Sequence, residues 1–282
     1  MKIVSTIPDM RTRSRESRSR SNRIGLVPTM GALHAGHLSL VRAARAHSDL
    51  VVASIFVNPT QFGPNEDYAQ YPRNLEEDCA LLEREGVDLV FAPAVEEMYP
   101  AGPNATWVVV EEMSQRLCGR SRPGHFRGVT TVVSKLFHIV ECDLAFFGQK
   151  DAAQVSTIRR MVRDLNMPVR IEVCPIVRET DGLALSSRNR YLDSSGRKAA
   201  LTLYRSLLRA RESFNRGERE TAKLVAAAKA EFAREPGVRL DYFEIVDPDT
   251  LEPEAVIRKP ALAAVAAFVG STRLIDNILL EP

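Results

Sequence analysis

Cysteine is scarce in this chain and does not cluster. The four cysteines among 282 residues, Cys79, Cys118, Cys142 and Cys174, stand far apart with no C-x-x-C pair, so the close ligand spacing of a zinc site is missing. Scattered thiols fit the reduced, buried small hydrophobes of a cytosolic protein. Long apolar runs are also missing: the longest, Ala261 to Val269, falls short of the ~20 residues a membrane-spanning helix needs. No charge of one sign dominates, because Lys+Arg 38 against Asp+Glu 36 leaves +2, and so small a balance gives no global reason to expect nucleic-acid binding. A secretory leader is excluded by Asp9, Arg11 and Arg13, which interrupt any apolar stretch near the start. What remains is a globular composition, 45% hydrophobic and 26% charged, in a length that suggests two domains of ordinary size.

The local exception to charge balance is the Arg- and Ser-rich segment Arg11 to Arg23. It reads either as a transit peptide or nucleic-acid arm or as a solvated helix starting near Pro8 after a short strand, Lys2 to Val4. The helix is expected, because the next strand follows at once and leaves no linker to cleave.

The first two-thirds of the chain alternates apolar runs with helical patterns. Strands are expected at Ile24 to Val27, Leu50 to Val57, Leu89 to Ala92, Leu144 to Phe147 and Val169 to Val177. Helices are expected from about Gly36 through Ala46, and at Leu75 to Glu85, Val129 to Val140 and Ala152 to Leu165. Continuous rather than alternating apolar strands imply an α/β fold, a doubly wound parallel sheet covered on both faces. After about Thr180 the texture changes to two helical stretches, Ser194 to Arg216 and Glu218 to Arg234. Three strand candidates follow, Leu240 to Val246, Ala261 to Val269 and Arg273 to Leu280. That order reads as a second, smaller α+β domain, with domains at 1–177 and 178–282.

The densest chemical signal is VPTMGALHAGH, Val27 to His37: a strand end, a glycine loop and a helix start. In a doubly wound sheet this is where a helix N-terminus offers free N–H groups to phosphate. His34 and His37 share a face of the first turn, and Gly36 lets a phosphate approach the backbone. H-x-G-H in this place resembles the class I nucleotidyl-transfer superfamily. Four further segments stand in order: SIFVNPTQFGPNEDYAQYPR (Ser54 to Arg73), RPGHFRG (Arg122 to Gly128), FFGQKDAAQ (Phe146 to Gln154) and LALSSRN (Leu183 to Asn189). With them the chain closely resembles, over essentially its whole length, the pantoate–β-alanine ligase family.

That resemblance implies a Rossmann-like domain, a small domain covering the nucleotide, and ATP-dependent joining of pantoate to β-alanine through pantoyl adenylate. It implies Mg2+ carried on the ATP phosphates with no metal held by the protein alone, a homodimer and a cytoplasmic location. By motif, the catalytic residues are His37, His34 and Lys150. The ATP site is Met30, Gly31, Ala32, Leu33, His34, Ala35, Gly36 and His37, then Gly148, Gln149, Lys150 and Asp151, then Val177 against adenine, and Leu185, Ser186, Ser187 and Arg188. Gln61 and Gln154 hold pantoate, their amides donating and accepting toward a hydroxy acid, and Gln61 with Asn58 faces β-alanine.

The chemistry accounts for these types. A carboxylate attacking the α-phosphorus is already an anion and needs no general base, only alignment and donors for the developing charge. His37 matches the family's proton donor; a hydrogen bond to phosphate oxygens is the physically preferred role, since a helix N-terminus disfavours imidazolium. Lys150 supplies a point charge, Gly148 permits close approach, and Asp151 serves ribose or Mg2+ through water. Gln149 replaces the Glu of many relatives. LALSSRN resembles a mobile loop that closes over triphosphate.

Other features read more plainly. RPGHFRG either attracts anionic substrates or is a solvated loop. His47 and His138 are structural, the acidic loop Asn65 to Asp67 is surface, and Glu76, Glu77 and Asp78 lie on a solvated helix face. The alternatives are a pantetheine-phosphate adenylyltransferase, usually shorter and without the paired glutamines, and an RNA-binding protein built on the arginine run. A tRNA synthetase would need an anticodon-binding segment for which no chain remains.

Overall fold

The computed structural model describes residues 1–64, 66–102 and 106–282. The chain runs β1 (Lys2–Val4), α1 (Ile7–Arg18), β2 (Ile24–Thr29), α2 (Ala35–His47), β3 (Leu50–Ile55), α3 (Leu75–Arg84), β4 (Leu89–Phe91), α4 (Val95–Met98) and α5 (Cys118–Ser121). It continues through α6 (His125–Val140), β5 (Leu144–Gly148), α7 (Ala152–Asp164), β6 (Arg170–Cys174), α8 (Ser194–Asn215), α9 (Thr221–Lys229), β7 (Val238–Val246), β8 (Ala261–Val269) and β9 (Thr272–Leu280).

β1 to β6 form a parallel sheet in the order β1-β4-β3-β2-β5-β6. Neighbouring residues on its strands feed opposite cores. Leu26, Val52, Phe91 and Phe147 pack with α1, α6 and α7. Val27, Val51, Val90 and Phe146 pack with Val41 and Ala44 of α2 and Leu82 of α3. Both faces are apolar because both are covered, which is why these strands read as runs. From β2 the chain winds outward through β3 and β4, then returns to place β5 on the other side of β2. The crevice beyond the carboxyl ends of β2 and β5 is therefore the switch point of the sheet, where ligands bind in folds of this kind.

β7, β8 and β9 make an antiparallel sheet. One face carries Ala263, Val265 and Ala267 against Leu203 and Leu207 of α8. The other carries Leu262, Ala264 and Ala266 against Leu117, Phe126, Ala152 and Ala153. The sequence reading of β8 as a continuous apolar strand follows from this double burial.

The arginine run is a helix, α1, capped by Thr6, whose Oγ accepts from Asp9 N–H at 3.3 Å. It is not solvated all round: Met10, Ser14 and Ser17 are buried, and Arg18 donates to Glu141 O at 2.8 Å and to Asp143 at 2.9 Å. β6 ends three residues earlier than expected, at Cys174, because Pro175 has no N–H for the ladder. α6 starts earlier, at His125, behind Gly124 with φ +81°. All four cysteines are free and buried, and no described helix is long and apolar enough to cross a membrane.

Candidate active site

The loop leaving β2 is set by its own backbone and by a distant acid. Gly31 (φ +82°) and Ala32 (φ +52°) are consecutive left-handed residues. They turn the N–H groups of Ala32 and Leu33 onto the Asp78 carboxylate at 2.9 and 2.8 Å, while Gly31 N–H donates to Thr29 Oγ1 at 3.2 Å. Such a nest of N–H groups is an anion site, and here the anion is the protein's own. The expectation of a solvated Asp78 is corrected: the residue is 3% exposed. Burial pushes its carboxyl above the ordinary range, and the N–H donors only partly oppose that. The sequence carried only a weak signal: Asp78 shares the inner face of α3 with Cys79 and Leu82, but Leu75 one turn earlier is exposed and Glu76 and Glu77 flank the acid.

The consequence reaches the expected ATP site. The N–H groups of Gly31, Ala32 and Leu33 are already engaged, and of this stretch Met30, His34, Gly36 and His37 line the cavity. Gly31, Ala32, Leu33 and Ala35 shape the turn behind them.

The two histidines cap α2 reciprocally. His34 Nδ1 accepts from Gly36 N–H at 3.1 Å, and His37 Nδ1 accepts from His34 N–H at 3.3 Å. An accepting Nδ1 carries no proton, so each neutral ring bears its hydrogen on Nε2. The rings lie 4.1 Å apart. Burial, then the Lys150 charge, holds His34 down to about 4; burial, then His34, holds His37 down to about 3. A Cβ at Gly36 would sit 2.9 Å from the His34 ring, so glycine there lets the pair form.

Across the crevice, Gly148 ends β5, Lys150 and Asp151 follow it, and Gln154 lies on the first turn of α7. Val177, Leu185, Ser186, Ser187 and Arg188 form a third wall. All line one cavity of about 230 Å³ with the histidines. It shares Lys150, Asp151, Gln154, Ser186 and Arg188 with a neighbouring cavity of about 840 Å³ that reaches β9. Gln149 is directed away from the cavity, and its Nε2 donates to Asn277 Oδ1 at 3.1 Å.

Gln61 sits on a 3-10 turn, Pro59–Gln61, and lines the cavity beside Met30, whose Sδ its Nε2 approaches at 3.0 Å. Asn58 does not line it. Buried at 1% exposure, Asn58 donates to Gln61 Oε1 and Gly128 O, both at 3.1 Å, and accepts from Tyr99 Oη at 2.8 Å. Its contact with Gln61 Oε1 ties that side chain to the buried Asn58–Tyr99 pair.

RPGHFRG is not a solvated loop: Arg122 and His125 line the neighbouring cavity and also brace the Gln61 turn. His125 donates from Nδ1 to Gln61 O at 2.8 Å, and its Nε2 accepts from Arg122 Nη1 at 2.8 Å. Arg122 in turn grips Glu66 at 2.7 and 2.6 Å. A Cβ at Gly128 would lie 2.3 Å from Thr60 O, so this helix start presses on the Gln61 turn and holds it. The acidic loop is corrected likewise. Asn65 lies outside the described residues, but Glu66 pairs with Arg122, and Asp67 accepts from Arg188 at 3.1 and 3.3 Å. Burial works against the Glu66 charge, yet Arg122 prevails and holds the carboxyl below its usual value. His47 and His138 each bond a carbonyl one turn back, at 2.8 and 2.7 Å, as structural residues do.

The chain can also be set beside known proteins. The family model described as pantoate-beta-alanine ligase matches residues 2–279. Pantothenate synthetases of Koribacter versatilis and Thermotoga neapolitana are 60% and 58% identical, covering 100% and 99% of this chain and 96% and 100% of theirs. The crystal structure of pantothenate synthetase from Thermus thermophilus superposes with TM-score 0.94 at 49% identity, with 100% of both chains covered. That of the Francisella tularensis pantoate-beta-alanine ligase, complexed with beta-gamma ATP and beta-alanine, gives 0.80 at 36% identity, with 99% and 97% covered. By these matches and by its own five motifs, the chain belongs to the pantoate–β-alanine ligase family.

Proposed function

We propose that this enzyme condenses pantoate with β-alanine at the expense of ATP, forming pantoyl adenylate and pyrophosphate first, then pantothenate and AMP. The observation that carries the reading is the donor set at the switch point. Two neutral histidines with Nε2–H, Lys150 and the Ser186–Arg188 turn face one cavity, with Gln61 and Gln154 lining it too.

The chemistry follows from those groups. Pantoate's carboxylate is held by the two amides, in line with the α-phosphorus. Its attack needs no base. Negative charge grows on phosphate oxygens and on the departing pyrophosphate, and fixed donors stabilise it without reorganising. His34 and His37, neutral and prefixed in the Nε2–H form, donate without an ion having been buried first. Lys150, Ser186, Ser187 and Arg188 serve the triphosphate. The neutral amine of β-alanine then attacks the acyl carbon. The tetrahedral intermediate collapses with cleavage of the acyl carbon–oxygen bond to AMP, AMP leaves with the bonding pair, and the proton lost from nitrogen passes to solvent. Gln61, held from behind by His125 and Asn58, is placed for the amine's approach.

Among the described residues no group of three His, Cys, Asp or Glu side chains is arranged to hold a metal. Mg2+ is read as arriving with ATP, and Asp151, a carboxylate of the cavity wall, is the group that would meet its waters. Its contribution there is charge neutralisation on the phosphates. A homodimer and a cytoplasmic location belong to the same reading.

The decisive experiment is exchange of labelled pyrophosphate into ATP. It should require pantoate and Mg2+ but not β-alanine, and adding β-alanine should release AMP with the amide. Release of ADP, or exchange only with a phosphorylated acceptor, would overturn the adenylate reading.

A further inference from the structure

The catalytic residues sit on the parallel sheet, yet two consecutive residues of the small sheet hold two walls of the cavity. On β9, Asn277 is 3% exposed and Asp276 4%. Asn277 Nδ2 donates to both Gln149 O and Lys150 O at 3.0 Å, and its Oδ1 accepts from Gln149 Nε2 at 3.1 Å. All three bonds fall on the short turn that presents Lys150. Asp276 takes Arg178 bidentately at 2.6 and 2.8 Å. Arg178 also donates to Gly182 O at 3.1 Å and lies over the Tyr204 ring at 4.1 Å. It therefore pins a narrow hairpin in which Leu185 N–H bonds Val177 O at 3.0 Å. Val177 and Leu185 are the apolar wall of the nucleotide cavity.

We propose that Asp276 and Asn277 are positioning residues of the adenylation centre: Asn277 aims Lys150, and Asp276, through Arg178, sets the wall against which the base lies. The idea rests on the adenylate reading above. Neither residue needs to touch substrate. Lys150 is a long, flexible side chain, and what fixes its origin is the direction of the two carbonyls on either side of it. An asparagine that bonds both leaves the turn one orientation. The small domain is thus part of the catalytic geometry as well as its cover.

The two residues differ in what they should change, and this separates positioning from plain stability. Asn277→Ala and Asn277→Asp both remove the donor to the carbonyls. The Asp variant keeps the shape and the acceptor for Gln149. Each should lower the pantoate-dependent exchange rate by roughly tenfold or more, since a misplacement of ~1 Å can cost ~10²-fold. KM for pantoate should stay within about twofold, because uniform binding is untouched. Asp276→Asn should show the converse, a raised KM for ATP with kcat little changed. Hydrogen exchange of residues 148–153, measured without substrates, should speed up in both Asn277 variants and not in Asp276→Asn. Wild-type exchange rate and unchanged protection in Asn277→Asp would overturn the proposal, as would equal loss of kcat and KM in all three variants. If the wild-type protein itself showed no pantoate-dependent exchange, the adenylate reading would fail, while hydrogen exchange would still decide whether Asn277 holds the Lys150 turn.

Discussion

The wall built from Met30 to His37 and the wall built from Leu183 to Arg188 face the same cavity but are held in opposite ways. In the first, each anchor comes from inside the fold: Asp78 on Ala32 and Leu33, His34 on Gly36, His37 on His34. In the second, the hairpin before Leu185 is pinned by Asp276 through Arg178. The 3-10 turn Ser187–Tyr191 that follows, however, has no fully buried residue, and its Arg188 is tied to Asp67 by an ion pair that water still reaches. A buried carboxylate with two N–H partners cannot leave without stranding them, whereas a pair such as Arg188–Asp67 can be exchanged for phosphate at little cost. The Met30–His37 side of the site is therefore preorganised throughout, whereas on the other side only the Ser187–Arg188 turn is able to change partners. On the proposed adenylation reading, chemistry depends on the first and capture of the triphosphate on the second.

The largest effect should come from the preorganised side and its facing charge. His37→Ala or Lys150→Ala should each reduce adenylate formation by ~10²–10³-fold, the usual worth of one fixed donor. The fold should survive, as circular dichroism and melting would show. Near-wild-type exchange in either variant would remove that residue from the mechanism and with it the argument for preorganisation. Next comes Asp78→Ala, which leaves two buried N–H groups without an acceptor at ~1–3 kcal/mol. Melting should drop by several degrees and exchange should fall with it. If Asp78→Ala melts normally and turns over normally, the anchored wall is no more rigid than the other.

How much of this was legible beforehand depends on the range of the interaction. The parallel sheet was, because burial on both faces writes itself into runs such as Leu50 to Ile55. So was H-x-G-H, because cap, glycine and histidines are within four residues. Asp78 was not: it binds a loop 45 residues away, and its acidic neighbours Glu76 and Glu77 disguised it as a solvated face. The bracing role of RPGHFRG was hidden for the same reason. Arg122 and His125 are answered by Glu66 and Gln61, and only the folded chain brings those near. Asn277, 127 residues from Lys150, lies in a strand whose pattern speaks only of packing. Local periodicity reveals elements; it is silent on which polar groups meet across them.

Protonation sharpens the comparison further. With His34 and His37 at about 4 and 3 against 6.5 for a free imidazole, neither should titrate in the working range. Activity should show no histidine step near pH 6.5. For stability the sign is set by proton uptake: between about pH 6.5 and the folded values the unfolded chain binds protons that the folded chain refuses, so stability falls as pH falls. His37→Gln removes one such group, and its melting temperature should decline less steeply than wild type from pH 7 to 4. Parallel slopes would mean that this ring is already solvated, and that the wall is looser than its hydrogen bonds indicate.

The smallest effect expected belongs to the exchangeable side. Asp67→Asn removes the charge that holds Arg188 when no nucleotide is present. An ion pair that is partly buried but still reached by water, with contacts as long as 3.1 and 3.3 Å, contributes about 1 kcal/mol, so melting should move by no more than a few degrees. Removing Asp67 also abolishes the competition that phosphate must win for the guanidinium. KM for ATP should therefore stay level or fall by about twofold, and its dependence on salt should weaken. A pair that served instead to aim Arg188 would behave in the opposite way, with KM for ATP rising about tenfold as the arginine loses its place. That result would make Asp67 the counterpart of Asp78, and both walls of the cavity would then be anchored from within.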